Sequence, residues 1–189
     1  MIKYIKENID SISKLFINHV GMMIFGLAVL ISTKLMNDVV FYMMGVLAVL
    51  MYFTLLYTAM WERGAKDKIK IDGGRKKPDL FHGLWAYLLG NILVVITSLL
   101  GLIFAFFVTE EVSFANNTLA VFRFISHYYN AMYLPITEIE IASPVVKSLI
   151  YVATILPGAI VSCVSYILGV KGCRCIFPES KKTKKNRYN

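Results

Sequence analysis

Residues 39–81 read VVFYMMGVLAVLMYFTLLYTAM followed by WERGAKDKIKIDGGRKKPDLF. The first 22 residues carry no charge, and the next 21 carry seven Lys and Arg. At about 1.5 Å per residue, a helix of that uncharged length crosses a hydrocarbon layer of about 30 Å. A basic segment directly after such a run marks its cytoplasmic side. Working outward, three more apolar runs appear at 16–33, 84–108 and 145–170. None alternates polar with apolar residues as barrel strands do, so all four are expected to be helices.

The cations decide the orientation. Lys3, Lys6 and Lys14 precede the first run, and Arg63, Lys66, Lys68, Lys70, Arg75, Lys76 and Lys77 lie between the second and third. Lys171, Arg174, Lys181, Lys182, Lys184, Lys185 and Arg187 follow the fourth. These segments hold 17 of the 20 Lys and Arg, leaving Lys34, Arg123 and Lys147 for the other face. The split predicts four spans with both termini in the cytoplasm. The expected fold is all-α: a polytopic four-span bundle forming a single membrane domain over residues 1–189. A cytoplasmic loop covers 62–81, an outer loop 109–144 and a basic cytoplasmic tail 171–189.

A mean hydropathy of +0.62 and 57% hydrophobic residues suit this class and not a soluble domain. The formal charge of +8 divides into +10 on the inner segments and −2 on the outer ones. Contact with anionic lipid at the inner face explains such a surface, and nucleic-acid binding is not expected. The composition suits a bacterial inner membrane.

The segments flanking the spans carry further expectations. Ile2, Ile5, Ile9, Ile12 and Phe16 recur every three or four residues, predicting an amphipathic helix that lies in the inner interface before the first span. A long N-terminal arm and the absence of a small-x-small site predict that the first span is not cleaved. Asn37 and Asp38 make a tight outer turn, so spans one and two form a helical hairpin. Charged and apolar residues alternate over 68–72 before Gly73-Gly74, predicting a short β-hairpin on the membrane surface. Residues 119–136 are apolar and aromatic but interrupted by Arg123, His127 and Asn130. They are expected to form an interfacial or re-entrant outer helix ended by Pro135, with Phe122, Phe124, Tyr128, Tyr129 and Tyr133 at the headgroups. In the last span Pro157 frees the Ala153 carbonyl and kinks the helix. Beyond it Gly158, Ser162, Ser165 and Gly169 present a small-residue face for helix packing.

Chemistry-bearing residues are few. Cys163, Cys173 and Cys175 are expected to be thiols without a metal shell around them. Asn18 and His19 fall near the inner end of span one, Asp79 and His82 at the inner start of span three, and Asn91 about two turns deeper. These five are the candidate binding residues. His19, His82 and Asp79 would share one depth if spans one and three touch, giving a His/Asp pair able to relay a proton. No nucleophile elbow, zinc-protease motif or phosphate loop occurs, and no catalytic residue, metal or cofactor is assigned. No Asp or Glu lies inside an expected span, as a proton-coupled carrier would want.

The function these observations imply is a small multi-pass membrane protein serving as a non-enzymatic accessory or partner-binding component, transporter-associated or immunity-type. Its partner would be another membrane protein or a second copy. The alternative is a permease or channel subunit acting as an oligomer, with Asn91 and the Pro157 kink along a path. A lipid-modifying enzyme at the inner interface, using Asp79, His82 or His19, is the third reading.

Overall fold

A computed structural model describes residues 2–33, 38–77, 79–108, 113–137 and 143–173. Among these the chain is helical, with no strand. The helices are α1 (Ile2–Thr33), α2 (Asp38–Asp72), α3 (His82–Gly90), α4 (Ile92–Phe106), α5 (Ser113–Tyr129), α6 (Leu134–Thr137), α7 (Pro144–Ala153) and α8 (Ile155–Lys171). A 3₁₀ turn, Ala131–Tyr133, joins α5 to α6. Three stretches are long and apolar enough to cross a membrane: Tyr4–Thr33, Asp38–Asp72 and Pro144–Lys171. A fourth exists if α3 and α4, bent by 76° at their junction, count as one.

These stretches, of 30, 35 and 28 residues, reach roughly 45, 52 and 42 Å, more than a hydrocarbon core needs. The excess is where the structure departs from the expected boundaries. The amphipathic N-terminal segment is not a separate helix: α1 runs unbroken from Ile2 to Thr33. No Pro or Gly interrupts residues 2–20, so nothing stops the first turns from propagating. Its faces are also inverted from the soluble pattern. Ile9 and Phe16 are 52% and 42% exposed, while Asn8, Ser11 and Leu15 are buried.

The expected β-hairpin at 68–72 is absent, because α2 continues as helix through Asp72. Local alternation loses here to tertiary packing. Gly45, Ala48, Tyr52, Leu56, Met60, Gly64 and Asp67 form one buried stripe spaced by three or four residues. The Gly73-Gly74 turn is present and ends the helix. Gly74 adopts φ +68°, and the Arg75 N–H reaches back to the Lys70 carbonyl at 2.9 Å, a Schellman closure that favours glycine. Gly172 ends α8 in the same way, with φ +75°.

Span three was expected to be continuous over 84–108, and it is broken at Asn91. The Asn91 side-chain amide donates to the Tyr87 carbonyl at 3.0 Å, and the Asn91 backbone N–H takes the same acceptor. Next to it, Gly90 lies against α1, where an added Cβ would come within 3.1 Å of the Ile12 carbonyl. The last span is interrupted at Thr154 between α7 and α8. That is where Pro157, lacking an N–H, leaves the Ala153 carbonyl without its helical partner.

The outer segment departs in where its helix ends. α5 stops at Tyr129 rather than at Pro135, and Ala131, Met132, Tyr133 and Leu134 are buried. Met132 and Tyr133 join a core built from Leu15 and Met22 of α1, Tyr52, Leu56 and Met60 of α2, Tyr87 of α3 and Tyr166 of α8. The segment therefore dips into the bundle and does not rest on its surface. Gly26 permits this: a Cβ there would lie 2.5 Å from the Ala131 carbonyl carbon. Of the five aromatics placed at the headgroups, Tyr133 is in the core, while Phe124 is 63% exposed. Phe122 stacks on Phe104 of α4 with centroids 5.7 Å apart.

Candidate functional site

Two polar centres lie at and near the basic end of the bundle. The first lies at the basic end of the bundle, where α2 and α8 cross. Gly64 and Gly169 allow the two backbones to touch; a Cβ on Gly169 would clash with the Trp61 carbonyl, and one on Gly64 with the Tyr166 carbonyl. One turn beyond, Asp67 is fully buried. Its Oδ2 accepts from the Tyr166 hydroxyl at 2.9 Å and from Lys76 Nζ at 2.5 Å. Arg63 Nε stands 3.6 Å away, and its Nη2 donates to Asn8 Oδ1 at 2.7 Å. Asp67 Oδ1 and Arg63 Nε have no hydrogen-bond partner.

Asp67 lies beyond the uncharged run of α2, which ends at Met60, and its ionisation follows from these neighbours. Burial works against the charge. Hydrogen bonds from Lys76 and Tyr166, with the positive charges of Arg63 and Lys76, outweigh it and hold the carboxyl below its usual value. His82 packs on the other side of Tyr166, with ring centroids 4.7 Å apart. Its Nδ1 is 2.9 Å from the Tyr4 hydroxyl, and its Nε2 is buried without a partner.

The second centre is deeper. His19 Nε2 lies 2.9 Å from the Tyr129 carbonyl and Nδ1 lies 2.9 Å from the Tyr52 hydroxyl. A carbonyl only accepts, so Nε2 carries the hydrogen; in the neutral ring Nδ1 then accepts from Tyr52. Tyr87 of α3 belongs to the same core as Tyr52. A polar chain from α2 through α1 thus ends on the backbone of the inserted segment. Nearer the far end, Ser126 of α5 donates to Thr97 of α4 at 3.2 Å. Arg123 Nη2 donates to the Pro144 carbonyl at 2.5 Å.

The five candidate residues therefore do not form one site. His19 belongs to the deep chain and His82 to the basic-end cluster. No hydrogen bond joins Asp79 to the His82 ring; the Asp79 carboxylate accepts the Phe81 N–H at 3.1 Å and turns the chain into α3. The expected His/Asp relay is not assembled, because the two-residue reach to Phe81 satisfies Asp79 locally. Asn18 makes a 3.5 Å contact with the Leu55 carbonyl, and Asn91 holds the helix break with its Oδ1 buried and unpartnered. Gly158, Ser162, Ser165 and Gly169 are all buried inside the bundle. A Cβ on Gly158 would collide with Tyr87, and Gly83 meets the Ser162 carbonyl.

Of the basic residues, Arg75 and Lys77 are exposed. Lys76 is withdrawn from that surface, because the buried carboxylate of Asp67 needs a counter-charge. Lys181, Lys182, Lys184 and Lys185 lie outside the described residues. Cys163 and Cys173 are free thiols. Among the described residues, no group of three or more His, Cys, Asp and Glu could hold a metal.

Asp67 was missed from sequence because it fell in a supposed loop. Continuing the stripe of Tyr52, Leu56 and Met60 by four and then three residues lands on Gly64 and Asp67; that spacing was the available signal. The chain shows no significant similarity to a protein-family model, a curated protein or a solved structure.

Proposed function

We propose that this chain is a multi-pass membrane protein with both termini in the cytoplasm, working as a non-enzymatic component that binds another membrane protein. The supporting observation is how its polar and apolar surfaces are spent. Exposed apolar side chains line the long helices, among them Ile24 and Ile31 of α1, Met43 and Leu50 of α2 and Ile160 and Val164 of α8. The interior polar groups instead tie one helix to the next, as Asp67 does to Tyr166 and His19 to Tyr129. Such a body suits lipid outside and a fixed shape within. Burial of the small-residue face inside the bundle favours a single copy over self-association through that face. Its cytoplasmic end, rich in Lys and Arg, suits the inner leaflet.

The experiment is purification of the full chain from its host membrane in mild detergent, with mass and composition measured by light scattering and mass spectrometry. A monomer bound reproducibly to one other membrane protein is the expected result. A homo-oligomer without a partner would overturn this reading in favour of a permease or channel. The broken α3–α4 helix, with Asn91 Oδ1 buried and unpaired, is the observation that favours that second reading.

A further inference from the structure

The geometry points to a discrete binding site for the head of an anionic, hydroxyl-bearing phospholipid in the cleft between α1 and α2 at the basic end. This rests on the membrane reading above and adds a defined site to it. The cleft has a volume of about 400 Å³, room enough for a glycerophosphate head. It straddles the boundary where charge gives way to apolar chain. Ile17 and Ala59 line one side, and Asp10, Lys14, Glu62, Arg63 and Lys66 line the other. Lys14 is the last charge before the apolar run of α1, and Glu62 the first after that of α2. A phospholipid presents the same division, head against acyl chain, at the same boundary.

The charges are arranged for a phosphodiester. Glu62 draws Lys14 and Lys66 together, at 3.3 Å and 2.7 Å. Each ammonium carries three N–H groups and spends one on Glu62, so both have donors left for a second anion. Arg63 also lines the cleft while holding Asp67 and Asn8. With Asp10, Glu62 and Asp67 ionised, the cations Lys14, Lys66, Arg63 and Lys76 leave a single positive charge, which a head of one negative charge neutralises. The cations at Glu62 hold its carboxyl below the usual value, by hydrogen bonds from Lys66 and Lys14, so the pairing is in place at neutral pH. Asp10 and Ser13, on the polar rim, are acceptors for the hydroxyls of a glycerol head and would have no such partner on a choline head.

The test is native mass spectrometry of the full chain in detergent, titrated with short-chain phosphatidylglycerol, short-chain phosphatidylcholine, or glycerol 3-phosphate. Phosphatidylglycerol should bind the native chain at least about tenfold more tightly than phosphatidylcholine. The double variant Lys14→Gln/Lys66→Gln should lose about tenfold in phosphatidylglycerol affinity. Arg75→Gln/Lys77→Gln removes the same charge from the exposed surface and should change affinity less than about twofold. Glu62→Gln, which frees both ammonium groups, should tighten binding. Equal weakening by the two double variants would reduce the site to diffuse attraction and overturn the proposal. No weakening by the cleft variant, or equal binding of phosphatidylcholine, would overturn it too. Displacement of the lipid by glycerol 3-phosphate at matching concentrations would make the cleft a soluble-phosphate site instead. If the chain stays monodisperse in buffer without detergent or lipid, it is the membrane reading that fails.

Discussion

The Tyr166 hydroxyl of α8 donates to the buried carboxylate of Asp67 on α2 at 2.9 Å, 99 residues apart in sequence and one helical turn beyond the Gly64–Gly169 contact. The two glycines bring the backbones together, and the hydrogen bond fixes their register. Lys76 then folds the chain after α2 back onto the same oxygen. One carboxylate thereby organises α2, α8 and the connection to α3.

Removing that carboxylate's charge should therefore destabilise the basic end. Asp67→Asn is expected to cost about 3 kcal/mol, the scale for breaking one side of a buried ion pair, and to lower the melting temperature in detergent. The pH dependence has a definite sign. The native carboxyl titrates below its ordinary value, so its stabilisation is present above that ordinary value and is lost as pH falls through the native one. Melting temperature should fall on acidification below about pH 4, and the fall should be shallower in Asp67→Asn. Glu62 is depressed in the same direction, so the comparison is made in a Glu62→Gln background. An identical acid profile with and without Asp67 would remove it from this role.

The glycine contacts can be tested against a glycine in open space. Gly169→Val places methyl groups against the Trp61 carbonyl and should cost about 1–3 kcal/mol by overpacking. A Cβ added at Gly21 would meet nothing within 4 Å, so Gly21→Ala should stabilise by roughly 0.5–1 kcal/mol through helix propensity alone. Thermal unfolding of the two variants side by side decides the matter; equal melting temperatures would mean the α2–α8 crossing is not tight.

Gly26 should control whether the segment after α5 stays inside the bundle. A cysteine at Met132, which is fully buried, should resist a water-soluble maleimide in the otherwise native chain. The same cysteine combined with Gly26→Val should react at least about tenfold faster, since the added side chain occupies the position of the Ala131–Met132 peptide. Fast labelling with Gly26 intact would place that segment on the surface.

The proposed orientation rests on the 17-to-3 division of cations and needs no functional assumption. In intact cells or sealed right-side-out vesicles, an impermeant thiol reagent should modify a cysteine at Asn117 and leave cysteines at Gly73 and Lys182 unmodified. Outside labelling at Lys182 would require an odd number of spans.

The basic connection should divide into two functions. Arg75→Gln and Lys77→Gln, both at exposed positions, should weaken adhesion to anionic liposomes gradually and in a salt-dependent way, with little change in melting temperature. Lys76→Gln should lower the melting temperature by leaving Asp67 short of a counter-charge. Equal effects from all three would mean that Lys76 is an ordinary surface lysine.

The sequence by itself determined the helical class, the four apolar runs and the lopsided distribution of charge. These depend on composition and local periodicity, which every residue carries regardless of its neighbours. It also marked Gly73-Gly74 as a turn, since a positive φ is a local demand. Only the tertiary structure decided that α2 runs on to Asp72, that span three breaks at Asn91 and that Tyr129 to Leu134 turn inward. Each of these depends on a partner remote in sequence: Tyr166 for Asp67, α1 for Gly90, and Gly26 for the Ala131 peptide. His19 and His82 were legible as polar groups near the basic end, but not as members of separate clusters. Their partners are set by which helix faces meet, and a face becomes a contact only when the opposing backbone is close enough to touch it.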